Sequence, residues 1–134
     1  MSKTKKIMIK EINGKFQYPI IIGGKIILQI NSFIESHIKN KKVFVIYDNY
    51  FDLKKNNNFL YFLNQSISII ANEVKLISIK SRDKNKNLKT LSFLINKILK
   101  YNVERNSVII TFGGGVIGDI GGFVSSILLR GLNY

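Results

Sequence analysis

The clearest structural pattern in the chain lies in Ser107-Val-Ile-Ile-Thr-Phe-Gly-Gly-Gly-Val-Ile-Gly-Asp-Ile-Gly-Gly-Phe123. Residues 108–111 are all β-branched, which is typical of a buried strand. Three adjacent glycines follow at 113–115, and from Val116 onward apolar residues recur at steps of three and four, as on one face of a helix. The pattern predicts a strand, a glycine turn and a helix.

The glycine turn is the first candidate for a binding site. A strand that enters a helix through glycines points backbone N–H groups and the positive end of the helix dipole at one place, which suits a phosphate. Gly113, Gly115 and Gly118 have the G-x-G-x-x-G spacing of dinucleotide-binding turns. The same spacing also fits a turn chosen only for close packing of the helix against the sheet.

Backbone groups of this turn are the predicted phosphate contacts. Gly114, Gly115 and Gly118 would let the backbone approach a pyrophosphate, because glycine has no side chain in the way. The N–H groups of Val116 and Ile117 would serve as hydrogen-bond donors.

Glycines four residues apart suggest a different structure for the same segment. Gly114, Gly118 and Gly122 have the spacing of the small-residue stripe between membrane helices. Asp119 would then lie near the bilayer centre, at a cost of about 2.5–3.5 kcal/mol. The adjacent glycines would also weaken a continuous span, so we predict no membrane helix.

Composition indicates one modest domain, residues 1–134. The chain has 134 residues, of which 46% are hydrophobic. It contains no cysteine and a single histidine, His37, which we expect at the surface and not in a metal site. The basic N-terminus lacks the pattern of a secretory signal, and we predict a cytoplasmic protein.

The formal net charge of +13 has two explanations. Lysine, asparagine and isoleucine are all abundant, which an AT-rich genome would produce without any binding surface. A nucleic-acid surface would also be basic, but aromatic residues are not interleaved with the lysines in a known motif. We favour the first explanation and predict no nucleic-acid partner.

The rest of the chain alternates between the two kinds of secondary structure. An Asn13-Gly14 turn signal joins two short strands into a hairpin, and Pro19 suggests an edge position for the second. From residue 26 onward strands and helices alternate, which predicts parallel strands with crossover helices. The predicted strands are 7–12, 16–22, 43–47, 74–79 and 108–111. The predicted helices are 26–38, 60–71, one that opens within 81–91 and runs to about residue 100, and 116–129.

Asp48 follows the predicted strand 43–47. Ligands of open α/β sheets bind at the carboxyl ends of the strands, where a carboxylate can accept hydrogen bonds from ribose hydroxyls. A cap for the helix that follows is an equally good explanation of this residue.

The run Gly113-Gly-Gly-Val-Ile-Gly-Asp119, then Gly122-Phe123 and Leu129-Arg130-Gly131, resembles the central motif of 3-dehydroquinate synthases, which are NAD-dependent sugar-phosphate cyclases. The match is close over 108–131 and diffuse before it. The resemblance implies a Rossmann-like, mostly parallel sheet. Because chains of the family are much longer, we expect an N-terminal NAD-binding portion, truncated before the C-terminal helical metal-binding domain.

The resemblance also implies an activity. The family converts 3-deoxy-D-arabino-heptulosonate 7-phosphate to 3-dehydroquinate with release of phosphate, in the shikimate pathway of aromatic amino-acid biosynthesis. NAD is recycled within one turnover, and a divalent metal, zinc or cobalt, acts as a Lewis acid. The metal ligands and catalytic groups are expected beyond residue 134, so this portion alone should be inactive. A homodimer of the intact enzyme is left open.

Four side chains take roles from the resemblance. Asp48, Lys89 and Asp119 would contact NAD, and Arg130 would bind the anionic sugar phosphate. Besides Asp48, whose simpler role is the cap described above, the other three also have simpler roles: Lys89 as a solvated lysine, Asp119 as a favourable charge on the helix dipole, and Arg130 as a cation at a helix end before a Gly131 cap.

The chain departs from the family at two positions. Lys86 stands where a Gly-Glu-x-x-Lys segment has its glutamate, which replaces an acceptor by a cation, and Tyr50 stands where the family often has asparagine. An inactive remnant of such an enzyme is therefore one alternative. A small basic binding protein without catalysis, favoured only by the charge, is the other.

Overall fold

The structure is a computed structural model that describes residues 4–10, 14, 17–53 and 58–134. Within these residues the chain forms a two-stranded antiparallel sheet and a three-stranded parallel sheet. The predicted α/β fold, with an N-terminal hairpin and alternating strands and helices, is confirmed. The strands are β1 (Lys5–Lys10), β2 (Gln17–Ile22), β3 (Lys42–Asp48), β4 (Glu73–Ile79) and β5 (Val108–Phe112), and the helices are α1 (Ile30–Ile38), α2 (Tyr50–Leu53), α3 (Phe59–Ser68), α4 (Leu88–Lys100) and α5 (Gly115–Ile127).

Strands β1 and β2 form the predicted hairpin. They pair in antiparallel register, from Lys5 opposite Ile22 to Lys10 opposite Gln17. Each strand of a two-stranded ribbon has one unpaired edge. Proline, which has no backbone N–H to donate, is tolerated in such an edge strand, as Pro19 is in β2. Gly14 has a positive φ of 68°, as the turn signal requires, whereas Asn13 lies outside the described residues.

The parallel sheet has the order β4-β3-β5, with β3 in the centre. Alternate side chains of β3 point to opposite faces. Phe44 and Ile46 pack with α4 and α5, whereas Val43 and Val45 pack with α1 and α3. The chain therefore forms three layers, in which helices cover both faces of a buried sheet. From β3 it passes first to β4 and then to β5 on the other side, which places a topological switch point between β3 and β5.

Three helices differ from their predicted bounds. The predicted helix 60–71 runs from Phe59 to Ser68 and is followed by a turn at residues 69 and 70. The predicted helix 26–38 begins as a 3-10 turn, Ile26–Gln29, and becomes α-helical only at Ile30. The predicted helix 116–129 runs from Gly115 to Ile127 and is followed by the 3-10 turn Leu128–Arg130.

The early end of α5 has a tertiary cause. The chain must turn back so that Asn133 can form a parallel bridge with Val108 beside β5. The N–H of Leu132 donates to the carbonyl of Ser125 at 2.8 Å, and the side chain of Leu132 is buried. Continuing the helix through residue 129 would abolish these contacts.

The chain was predicted to have no membrane helix. In the part of the chain that the structure describes, no helix is both long enough and apolar enough to span a bilayer.

Candidate functional site

Asp48 and the glycine turn meet at the switch point between β3 and β5. Both follow the carboxyl ends of these neighbouring strands, and a Cβ atom built on Gly113 would lie 3.3 Å from the Cβ of Asp48. One carboxylate oxygen of Asp48 accepts a hydrogen bond from the N–H of Tyr50, the first residue of α2, at 3.0 Å. The structure thus shows the local capping contact and also places Asp48 beside the glycine turn.

The three adjacent glycines have different surroundings. Gly113 has a φ of 157°, and a Cβ there would lie 2.8 Å from Cγ1 of Ile117, so this position requires glycine. Gly114 and Gly115 are exposed, and a Cβ on either would have nothing within 4 Å. Packing therefore explains Gly113, whereas it gives no reason for glycine at 114 or 115.

The start of α5 presents two backbone donors to this open surface. Gly115 and Val116 are the first two helical residues, and their N–H groups precede the first intrahelical hydrogen bonds. The N–H of Ile117, which we predicted as a phosphate donor, already donates to the carbonyl of Gly114 at 3.0 Å. Gly115 and Val116 are therefore the donors that the geometry offers to an anion.

Asp119 faces α4 and is held by a lysine. Its Oδ2 atom lies 2.6 Å from Nζ of Lys86, and both side chains are largely exposed. The hydrogen bond and the charge of Asp119 raise the pKa of the Lys86 ammonium. Because α5 begins at Gly115, Asp119 lies just beyond the first helical turn and not within it, which weakens the helix-dipole explanation.

The Lys86–Asp119 pair borders a cavity of about 300 Å³ between α4 and α5. Its walls are mostly apolar, and the ion pair supplies the charged groups at its edge. This arrangement suits a ligand part that combines an apolar surface with a polar edge. The apolar wall residues are Leu88, Leu91, Ile120 and Phe123.

Lys89 lies apart from these groups. It is exposed in the first turn of α4 and lines a cavity of about 410 Å³ with Ser78 and Ile79, at the carboxyl end of β4. The structure therefore brings Asp48 to the glycine turn and joins Asp119 to Lys86, whereas it places Lys89 beside the next strand of the sheet.

Arg130 is distant from the glycine turn, at the other end of α5. Leu129 and Arg130 both have positive φ, 49° and 71°, which is unusual for residues other than glycine. Arg130 lines a cavity of about 340 Å³ together with Arg105, which precedes β5. Arg105 carries no sequence signal that singles it out, because a lone arginine in a loop has no diagnostic spacing.

The described residues show no metal centre. They contain no group of three or more histidine, cysteine, aspartate or glutamate side chains that could hold an ion. His37 is exposed, as predicted.

The sequence matches a known family over most of its length. The family profile described as 3-dehydroquinate synthase N-terminal matches residues 76–134. The 3-dehydroquinate synthase of Clostridium beijerinckii is 36% identical over 123 residues, which cover 90% of this chain and 33% of that protein. The enzyme of Clostridium botulinum is 37% identical over 131 residues, 96% of this chain and 35% of that protein.

This chain is a relative of the N-terminal part of 3-dehydroquinate synthases. The resemblance predicted from residues 108–131 is thereby confirmed. The chain spans about a third of the length of the curated relatives that it matches.

Solved structures of sugar-phosphate cyclases share the fold. A 2-deoxy-scyllo-inosose synthase superposes with a TM-score of 0.75 at 18% identity, over 97% of this chain and 34% of the other. A second structure of that enzyme, in complex with carbaglucose-6-phosphate, NAD+ and Co2+, gives 0.74 at 18% identity over 97% and 33%. The 2-epi-5-epi-valiolone synthase of Streptomyces hygroscopicus, with NAD+ and Zn2+, gives 0.58 at 21% identity over 72% and 26%.

Proposed function

We propose that this chain is the NAD-binding part of a cytoplasmic 3-dehydroquinate synthase. The proposed reaction converts 3-deoxy-D-arabino-heptulosonate 7-phosphate to 3-dehydroquinate and releases phosphate. The observation that carries the proposal is the open glycine surface at 114–115 beside Asp48, in a chain that is related to these enzymes over about nine tenths of its length.

The residues of the switch point fit NAD. The N–H groups of Gly115 and Val116 bind the pyrophosphate at the positive end of the α5 dipole. Asp48 accepts hydrogen bonds from a ribose, because its carboxylate lies beside the turn. Lys89 and Asp119 are proposed as further contacts. The Asp119 side chain is 66% exposed beside Lys86, so a nucleotide can approach it with the ion pair in place. When bound, NAD supplies reversible oxidation of a substrate hydroxyl group within one turnover.

A divalent metal is part of the proposal for the intact enzyme. Two of the solved cyclases contain Co2+ or Zn2+ together with NAD+. The described residues of this chain do not fit such an ion, since they offer no cluster of ligands. We assign the metal to no residue of this chain and derive no step from it.

Full-length protein, as encoded in the genome, is expected to release phosphate from the heptulosonate phosphate when NAD and zinc or cobalt are present. Phosphate release and 3-dehydroquinate formation are measured in parallel, with NAD omitted as the control. If phosphate is not released at any metal or NAD concentration, the proposed activity is wrong.

An inactive remnant is the second candidate. It is favoured by the Lys86–Asp119 ion pair, which occupies a proposed NAD contact with a cation. NAD binding in titration calorimetry without any turnover would favour the remnant, whereas turnover would exclude it.

Arg130 is proposed to bind an anionic group of the substrate that reaches it from another domain or a second subunit. Its guanidinium forms a planar fork that suits a phosphate or carboxylate, and its end of α5 is far from the glycine turn. We expect Arg130→Lys in the full-length enzyme to raise the KM for the sugar phosphate while NAD affinity stays unchanged.

Arg82→Lys is the matched control for this variant. Arg82 is an exposed arginine that lies just after β4 and does not line the Arg105–Arg130 cavity. The Arg82→Lys variant should leave both the KM for the sugar phosphate and the Kd for NAD unchanged. If Arg130→Lys behaves like this control, Arg130 is only a cation near a helix end.

A further inference from the structure

The Tyr134 hydroxyl joins the two elements that flank the glycine turn. It lies 2.9 Å from the carbonyl oxygen of Gly118 in α5 and 3.1 Å from Oγ1 of Thr111 in β5. A carbonyl can only accept, and a phenol has a single hydrogen to donate. Tyr134 therefore donates to Gly118, and the Thr111 hydroxyl donates to Tyr134.

The tyrosine ring fits against a glycine surface of α5. A Cβ built on Gly122 would lie 3.5 Å from the ring, and one built on Gly118 would lie 3.8 Å from the hydroxyl oxygen. Both distances are those of ordinary van der Waals contact, so Tyr134 packs directly on this face of α5. Gly118 and Gly122 of the four-residue glycine spacing thus face Tyr134, whereas Gly114 has nothing within 4 Å.

The backbone just before Tyr134 is anchored to the same two elements. The carbonyl of Asn133 accepts from the N–H of Ile109 in β5 at 2.9 Å, and the N–H of Leu132 donates to Ser125 in α5 at 2.8 Å. The side chain thus extends from a segment that is fixed to both elements, so its hydroxyl can act as a brace between them.

Thr111 and Gly118 bracket the turn. Thr111 lies two residues before Gly113, and Gly118 lies three residues after Gly115. Any shift of the start of α5 relative to the end of β5 changes the direction of the N–H groups of Gly115 and Val116. A phosphate site depends on that direction, because the donors must converge on one ligand.

We propose that Tyr134 is a positioning residue for the nucleotide site: through Thr111 and Gly118 it sets the geometry of the glycine turn before NAD binds. The inference rests on the proposed function, since it concerns NAD affinity. It assigns Tyr134 no contact with NAD or with substrate.

The test uses Tyr134→Phe in the full-length protein, which keeps the ring and removes the hydroxyl. We expect the Kd for NAD to rise about 3- to 10-fold, the range of one hydrogen bond. The melting temperature should fall by no more than one hydrogen bond accounts for, and the KM for the sugar phosphate at saturating NAD should not change. Thr111→Val, which removes the donor to the same hydroxyl, should have a similar effect, and the double variant should be no worse than the more affected single variant.

Tyr61→Phe is the matched control. Tyr61 is as exposed as Tyr134, at 61%, but lies on α3, on the opposite face of the sheet. It should leave the Kd for NAD unchanged.

The outcomes separate this proposal from the proposed function. If wild-type protein does not bind NAD, both are wrong. If wild-type protein binds NAD and Tyr134→Phe binds it equally tightly, only the positioning role is overturned. A variant that loses thermal stability and substrate affinity together with NAD affinity also overturns it, because Tyr134 would then act only in folding.

Discussion

Replacing Gly121 by alanine is expected to destabilise the protein by about 1–3 kcal/mol, the usual cost of overfilling a packed core. Gly121 is buried, and a Cβ atom there would overlap the methyl carbon of Thr111. Threonine is branched at Cβ, so this methyl group has few alternative positions. Moving it would also displace the hydroxyl that contacts Tyr134. The free energy of unfolding in urea measures the effect.

Two further variants make this prediction specific. Gly115→Ala places the same methyl group in open space at the start of the same helix, and it should leave the free energy of unfolding unchanged or slightly higher. Thr111→Ser removes the overlapping methyl carbon, so it should recover most of the stability lost in Gly121→Ala. A Gly121→Ala protein as stable as the wild type would show that α5 does not pack on β5 as closely as described.

Replacing Gly115 by valine is expected to lower the affinity for NAD strongly and to change the free energy of unfolding little, whereas Gly121→Ala acts on stability. A β-branched side chain at this open position covers the backbone that should approach the pyrophosphate. Losing one hydrogen bond to a charged group costs roughly 1.5–3 kcal/mol, so we expect affinity to fall by about 10-fold or more.

Titration calorimetry with NAD tests the Gly115→Val variant in the full-length protein, and its thermal unfolding serves as the control for folding. Equal affinity of variant and wild type would mean that the turn is purely structural. The comparison with Gly121→Ala then assigns the two kinds of glycine to two roles, one in ligand approach and one in packing.

Much of the fold could be predicted from local patterns. The β-branched run before Phe112, the glycines and the helical period after Val116 identify strand, turn and helix, because the two kinds of structure repeat with different periods. Alternation along the chain predicts parallel strands, and parallel strands bring their carboxyl ends to one edge. Asp48 and the glycine turn could therefore be assigned to the same edge of the sheet from the sequence.

Some features depend on contacts between residues far apart in the chain. The pairing of Lys86 with Asp119 and the contact of Tyr134 with Thr111 join different elements, and no spacing rule predicts them. The same holds for Arg105, which reaches the cavity of Arg130 only because β5 and α5 are packed together.

The individual glycines of this segment have roles that the local sequence could not distinguish. The sequence by itself determined that this segment turns sharply between a strand and a helix, because glycine permits that backbone and the apolar period follows it. Only the tertiary structure decided that Gly113 and Gly121 are required by packing while Gly114 and Gly115 face open space. The reason is physical: the need for glycine depends on which atom lies opposite the missing side chain, and that atom belongs to another element of the fold.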